Sequence, residues 1–241
     1  GYFYTRLQNP TNDHVAAKIC ALEGGTAAML TSSGQAASFY AIFNIVSCGE
    51  HVVCSSSIYG GTYNLFAVTM KRMGIDFTFV DPDCTEAELE AAFRQRPKAL
   101  VLCNPSNPCG RVFTREELLT IAEMATKYDT YVITDEVYEH IVYAPHRHTY
   151  FATLPGMWNR TLSCSSLSKT YSITGWRLGY IIAPEEIIDR AKKVHDFLTV
   201  GCAAPLQEAV IPGLEFGQDY YDDLLAKYTH KKDLFLKGLD E

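Results

Sequence analysis

The sequence predicts an α/β fold built on a mostly parallel sheet, and three observations carry that expectation. From Ala27 to Val80, short apolar runs alternate with helix-like segments, the rhythm of strands joined by crossover helices. Two later runs, Ala99-Leu100-Val101-Leu102-Cys103 and Tyr131-Val132-Ile133-Thr134, are apolar almost throughout, as strands covered on both faces must be. Two capping boxes, Thr85-x-x-Glu88 and Thr114-x-x-Glu117, mark where helices begin after such strands.

In chain order, Asn9-Pro10-Thr11 reads as a turn opening a helix that runs through Leu22 and is closed by Glu23-Gly24-Gly25. Ala27 to Thr31 is a strand. Ser32-Ser33-Gly34-Gln35-Ala36-Ala37 is a small-residue turn leading into the apolar helix Phe39 to Val46. Backbone N–H groups left free at such a helix start form an anion site; a plain tight turn is the alternative. His51 to Cys54 is a strand that delivers Tyr59-Gly60-Gly61-Thr62, and Tyr63 to Met73 is a helix closed by Gly74. Tyr59 is placed either to stack on a flat ring or merely to pack. Phe77 to Val80, Ala99 to Cys103, Tyr131 to Thr134 and Leu178 to Ala183 are further strands. Helices follow Thr114, span Glu185 to Leu198, and span Phe216 to Leu239, where Tyr220, Leu224, Leu225 and Tyr228 fall at helical spacing.

The chain has 241 residues, 47% of them hydrophobic, enough to bury the core of one large domain. Its net charge of −7 argues against a nucleic-acid partner, because phosphate contacts demand a basic face. The eight cysteines lie in apolar segments with no CxxC pair, which reads as reduced thiols in a cytoplasmic enzyme and not as a disulfide framework. The seven histidines show no metal-ligand spacing, so no metal is expected; His146-Arg147-His148 reads as a surface loop. No long uncharged apolar run points to a membrane.

The chemistry concentrates at Ser166-Leu167-Ser168-Lys169 and Gly175-Trp176-Arg177-Leu178-Gly179. Lys169 stands among small hydroxyl residues instead of the alternating charges of a solvated helix face. An amine nucleophile suits carbonyl chemistry, above all a Schiff base with a pyridoxal cofactor. Ser166 and Ser168 can donate hydrogen bonds to a phosphate, and Arg177 adds a planar fork of donors with permanent charge. Asp135, at the end of an apolar strand, needs a cation or solvent, and a protonated pyridine nitrogen is such a cation; the commoner alternative is a helix cap.

Asn104-Pro105-Ser106-Asn107-Pro108-Cys109-Gly110, then Asp135-Glu136-Val137-Tyr138, then the lysine stretch, in that order, resemble the class I aminotransferases, pyridoxal-phosphate enzymes of fold type I. The likeness is to their kynurenine and aromatic aminotransferase subgroup and covers residues 99–241. The resemblance implies a three-layer α/β/α large domain, a Schiff base on Lys169, and a phosphate held by Ser166 and Arg177. It further implies that Asn107 and Tyr138 hydrogen-bond the phenolic oxygen while Asp135 pairs with the ring nitrogen. On this likeness, residues 1–215 form the cofactor domain, and 216–241 begin the helix leading to a small domain that the chain largely lacks, together with its substrate-gripping arginine.

Residues 1–97 use other wording. Tyr4-Thr5-Arg6, Asn9-Pro10-Thr11, Ser33-Gly34-Gln35-Ala36-Ala37 and Tyr59-Gly60-Gly61-Thr62 resemble the Cys/Met-metabolism (trans-sulfuration) family, which shares the fold type and cofactor. That resemblance implies phosphate contacts from Ser33, Gly34 and Gln35, and ring stacking by Tyr59. It also implies that Tyr4 and Arg6 reach a neighbouring subunit's cofactor in a homodimer or homotetramer. The chain is therefore expected to be a mosaic joined near residues 97–103. Amino-group transfer between an amino acid and a 2-oxo acid is the expected activity. Its rivals are C–S elimination or sulfhydrylase-like replacement, and a cofactor-binding scaffold without activity.

Overall fold

The computed structural model describes residues 2–199 and 201–239; Gly1, Val200, Asp240 and Glu241 lie outside the described residues. Helix α1 (Pro10–Leu22) begins where Asn9 caps it, its Oδ1 accepting from the Asn12 N–H at 3.1 Å, and Pro10 occupies the first turn, where no N–H is needed. It leads to β1 (Ala27–Thr31), α2 (Gly34–Ile45), β2 (His51–Ser55) and the short α3 (Gly60–Asn64). The helix expected over Tyr63 to Met73 is present but not uniform: after α3 the turns widen to π geometry over Leu65–Met70. Next come β3 (Asp76–Val80), α4 (Glu86–Phe93), β4 (Ala99–Cys103), α5 (Arg115–Lys127) and β5 (Tyr131–Asp135). Both expected capping boxes form, Thr85 with Glu88 and Thr114 with Glu117.

The second half holds β6 (Thr161–Ser166), α6 (Leu167–Thr170), β7 (Gly179–Ala183), α7 (Glu185–Asp196), α8 (Ala204–Val210) and α9 (Gln218–Leu239). The seven strands form one sheet in the order β1-β7-β6-β5-β4-β2-β3. Only β7 runs against its neighbours; all other pairings are parallel. Side chains along β4 alternate strictly between two cores. Ala99, Val101 and Cys103 join the core beneath α2 and α7, whereas Leu100 and Leu102 join the one beneath α5. At the other end, Met29 and Ile181 face α2 and α7, while Ala28, Leu30 and Ile182 face α1 and α8. The outcome is the expected three-layer α/β/α arrangement. No helix among the described residues is long and apolar enough to cross a membrane.

One expectation fails here. His148 does not sit in an exposed loop: its side chain is 6% exposed and its Nε2 lies 3.3 Å from Glu136 Oε1. Glu136, itself buried, accepts from the hydroxyls of Thr134 and Ser163 and from the Phe151 N–H. This network ties the segment Pro145–Tyr150 down over the end of β5, so a polar His-Arg-His run that reads as surface is half interior.

Candidate active site

The parallel strands point their carboxyl ends to one edge of the sheet, and β7, running the other way, begins there. Five connections consequently border one site at that edge: those after β1, β2, β4 and β5, and the one that leaves β6 and enters β7. Between them lies a cleft of about 170 Å³.

Lys169 sits on the single-turn helix α6, directly after β6, and is partly buried in the cleft wall. Ser166 starts that turn by accepting the Ser168 N–H at 3.1 Å, and its hydroxyl also lies 2.6 Å from Ser168 Oγ. Asp135 lies across the cleft. In the sheet register it stands between Cys103 of β4 and Cys164 of β6, both buried and both lining the same cleft. With the Val137 N–H as its one hydrogen-bond donor, at 3.4 Å, the carboxyl is raised to about 6, chiefly by burial. A single weak cap does not satisfy a carboxylate that is largely withdrawn from water. The helix-cap alternative thus holds in part and leaves the group short of a cation.

Beside it, Asn107 Nδ2 donates to Tyr138 Oη at 3.2 Å. Burial pushes the Tyr138 phenol up while the Asn107 bond draws it back. Asn107 is held by a loop whose own contacts are internal: Asn104 Oδ1 accepts from the Phe113 N–H and Ser106 Oγ from the Arg111 N–H.

The opposite wall comes from the first third of the chain. Ser33 caps α2, its Oγ accepting the Ala36 N–H at 3.0 Å, which leaves the turn at Gly34 and Gln35 bordering the cleft. Gln35 is anchored by donating to Thr62 Oγ1 at 2.7 Å. Tyr59 is 50% exposed at the mouth, and its ring occupies the space a Cβ on Gly61 would need. Arg177 reaches the cleft from a left-handed backbone position, φ 58°, with Nη1 donating to the Thr174 carbonyl at 2.7 Å.

Ten of the residues singled out in the sequence therefore share one cleft: Gly34, Gln35, Tyr59, Asn107, Asp135, Tyr138, Ser166, Ser168, Lys169 and Arg177. Ser33 stands behind it as the helix cap. Tyr4 and Arg6 do not join it. Arg6 lies over the Tyr4 ring, 5.2 Å from its centroid, and borders a different cleft with His195 and Asp196. Sequence reasoning missed Cys103, Cys164 and Thr174 in the wall, and the Glu136–His148 pair behind it. Register on either side of Asp135 was the signal for the two cysteines, and it is invisible before strands are paired.

The residues fit a phosphorylated pyridine aldehyde. An amine, a cation-seeking carboxylate, an amide–phenol pair, a helix N-terminus and a guanidinium line one cleft, and each has the charge that one part of such a molecule needs.

Comparison with known proteins agrees. The family described as aminotransferase class I and II matches residues 8–241, on both sides of the change in wording near 97–103. A kynurenine–oxoglutarate transaminase 3 of Rattus norvegicus is 36% identical over 223 residues, covering 85% of this chain and 49% of the relative. A kynurenine–oxoglutarate transaminase of Dictyostelium discoideum is 42% identical over 158 residues, covering 64% of this chain and 36% of its own. Among solved structures, N-succinyldiaminopimelate aminotransferase from Mycobacterium tuberculosis superposes with a TM-score of 0.85 at 28% identity, over 100% of this chain and 65% of the other. The chain thus spans about half the length of the rat relative. On the extent of the family match and the identity shared with the rat enzyme, this chain belongs to the class I and II aminotransferases.

Proposed function

We propose that the chain binds pyridoxal 5'-phosphate in the Lys169 cleft and transfers an amino group between an amino acid and a 2-oxo acid. The carrying observation is the convergence of Lys169, Asp135, Tyr138 and Asn107 on one cleft with the start of α2 and Arg177. When bound, the coenzyme supplies an aldehyde for the amine and an aromatic ring that delocalises the electron pair left at a substrate Cα. Asp135 gains the cationic partner its burial denies it and is returned to the carboxylate form. Tyr138 and Asn107 hold the phenolic oxygen. The N–H groups at Gly34 and Gln35, the Ser166 hydroxyl and Arg177 hold the phosphate, and Tyr59 covers the ring. Lys169 would take the substrate Cα proton as general base and deliver it as general acid.

Three finer readings belong to the same proposal. Tyr4 and Arg6 serve a neighbouring chain's cleft in a homodimer or homotetramer; their location away from this chain's own Lys169 supports that. Residues 1–215 form the coenzyme domain, and 216–241 lead toward a further one, a reading supported by the exposed Leu234, Phe235, Leu236 and Leu239 of α9. The eight free thiols support a reducing, cytoplasmic setting.

A second reading rests on the trans-sulfuration wording of residues 1–97, which places a mosaic join at the entry to β4 and favours C–S elimination or replacement. One experiment separates the two. The purified chain is mixed with pyridoxal phosphate, and an amino-acid panel is scored for pyridoxamine phosphate and keto acid. Pyridoxamine phosphate supports transfer. Keto acid with released thiol or ammonia and no pyridoxamine phosphate supports elimination, and no spectral change on adding coenzyme would overturn both.

A further inference from the structure

On the far side of the α6 turn a second cleft opens, about 320 Å³, between α1, the turn after β5 and the start of α9. Ser166 borders both clefts. The chemistry of the second one is unlike that of the first. Glu139 lines it with a side chain only 6% exposed; its Oε1 lies 3.6 Å from His140 Nε2, and its Oε2 has no hydrogen-bond partner. Glu23 stands at the rim, with its carboxylate turned inward to accept from Tyr180 Oη at 2.9 Å.

Among the described residues, no lysine or arginine borders this cleft. Its one base, His140, has its pKa lowered by burial and is thus kept neutral. Burial also pushes Glu139 well above the usual carboxylate range, as expected of an acid with no countercharge. Part of the remaining wall is aromatic, beside aliphatic Ile19, Leu22, Leu167 and Leu214. Tyr171 and Tyr221 meet hydroxyl to hydroxyl at 3.0 Å, Tyr221 packs on His140 with ring centroids 4.4 Å apart, and Phe216 lies 6.2 Å from Tyr171.

We propose that this cleft binds a small organic ammonium ion, with Glu139 as its counterion and Tyr171, Tyr221 and Phe216 as its aromatic wall. A buried carboxylate with an unused oxygen needs a positive charge, and aromatic rings attract a cation whose own surface is apolar. An inorganic cation is the poorer match. Among the described residues only two carboxylates face the cleft, and no group of three or more His, Cys, Asp or Glu could hold a metal ion. The inference is independent of the coenzyme reading, since binding here can be measured without pyridoxal phosphate.

The test is calorimetric titration of the purified chain with tetramethylammonium and with choline, at constant ionic strength. The controls are 3,3-dimethylbutan-1-ol, which is choline with carbon in place of the charged nitrogen, and potassium chloride. Saturable one-to-one binding of both ammonium ions is expected, with the alcohol at least tenfold weaker. Glu139→Gln should weaken both ammonium ions at least tenfold while keeping the far-ultraviolet dichroism, and Tyr221→Leu should weaken them severalfold. Absence of ammonium binding, equal binding of the alcohol, or wild-type affinity in Glu139→Gln would overturn the proposal. Potassium competing as well as tetramethylammonium would also overturn it. Should Glu139→Gln fail to fold, Glu23→Gln at the rim and the alcohol comparison decide, the proposal standing only if the charge remains necessary.

Discussion

Gly179 runs backbone against backbone with Ser33: a Cβ on Gly179 would fall 2.5 Å from the Ser33 carbonyl oxygen and 2.6 Å from the Gly34 nitrogen. Through this contact the last third of the chain closes on the first. β7 pairs with β1 at Gly179 and Thr31 and with β6 at Gly179 and Ser166, so the α2 turn is pressed against β7 beside the end of β6, three residues before Lys169. Any side chain at 179 must drive the two apart.

Gly179→Ala should therefore cost more than its one methyl implies. Overpacking against backbone predicts a loss of roughly 1–3 kcal/mol. Chemical denaturation measures it, and pyridoxal phosphate affinity should fall in parallel. A variant as stable as the parent, with undiminished coenzyme affinity, would show that the contact has slack.

Lys169→Ala should leave a folded chain on which pyridoxal phosphate no longer acquires the visible absorption of a lysine adduct. The spectrum of the coenzyme mixed with each protein is the measurement. An unchanged band would move the reactive amine elsewhere.

Asp135 supplies a prediction in pH. Burial holds its folded pKa near 6, above the ordinary 3.8, so the native chain keeps a proton that the unfolded chain has already released. That sign makes the coenzyme-free chain lose stability as pH rises from about 4 to 6, by up to about 3 kcal/mol, and stay lower above pH 6. Asp135→Asn should be the more stable protein above pH 6, and the two urea midpoints should converge toward pH 4. A gap that does not change across that window would show that another group titrates.

Tyr138→Phe removes the hydroxyl that accepts from Asn107. One hydrogen bond of about 1 kcal/mol corresponds to a roughly five- to tenfold weaker coenzyme affinity. Equilibrium dialysis against pyridoxal phosphate reads it, and an unaltered affinity would remove Tyr138 from the site.

Much of this could be read before any strand was paired. The lysine stretch, the Asn107 loop and Asp135 are marked by residue types that ordinary turns do not need, and their strands are apolar enough to recognise. β6 escaped because Thr161-Leu162-Ser163-Cys164-Ser165-Ser166 is a hydroxyl-rich segment in which buried positions are satisfied by partners such as Met157 and Leu178. α8 escaped because seven residues around Pro205 carry too little periodicity. His148 was misread because its burial depends on Glu136, a carboxylate whose inward direction no local pattern reports. The π turns over Leu65–Met70 have no counterpart in residue spacing that distinguishes them from an ordinary helix.

The reversed strand also governs when a cleft can exist. β1 lies at the sheet edge and finds its partner only in β7, roughly 150 residues later. During synthesis the turn at the start of α2 must wait, unsupported on that side, until β7 has emerged. Contacts so distant in sequence are slow to form. Nascent chains stalled before Gly179 should accordingly be unable to capture the vitamin, and its capture would report that β1 and β7 have met.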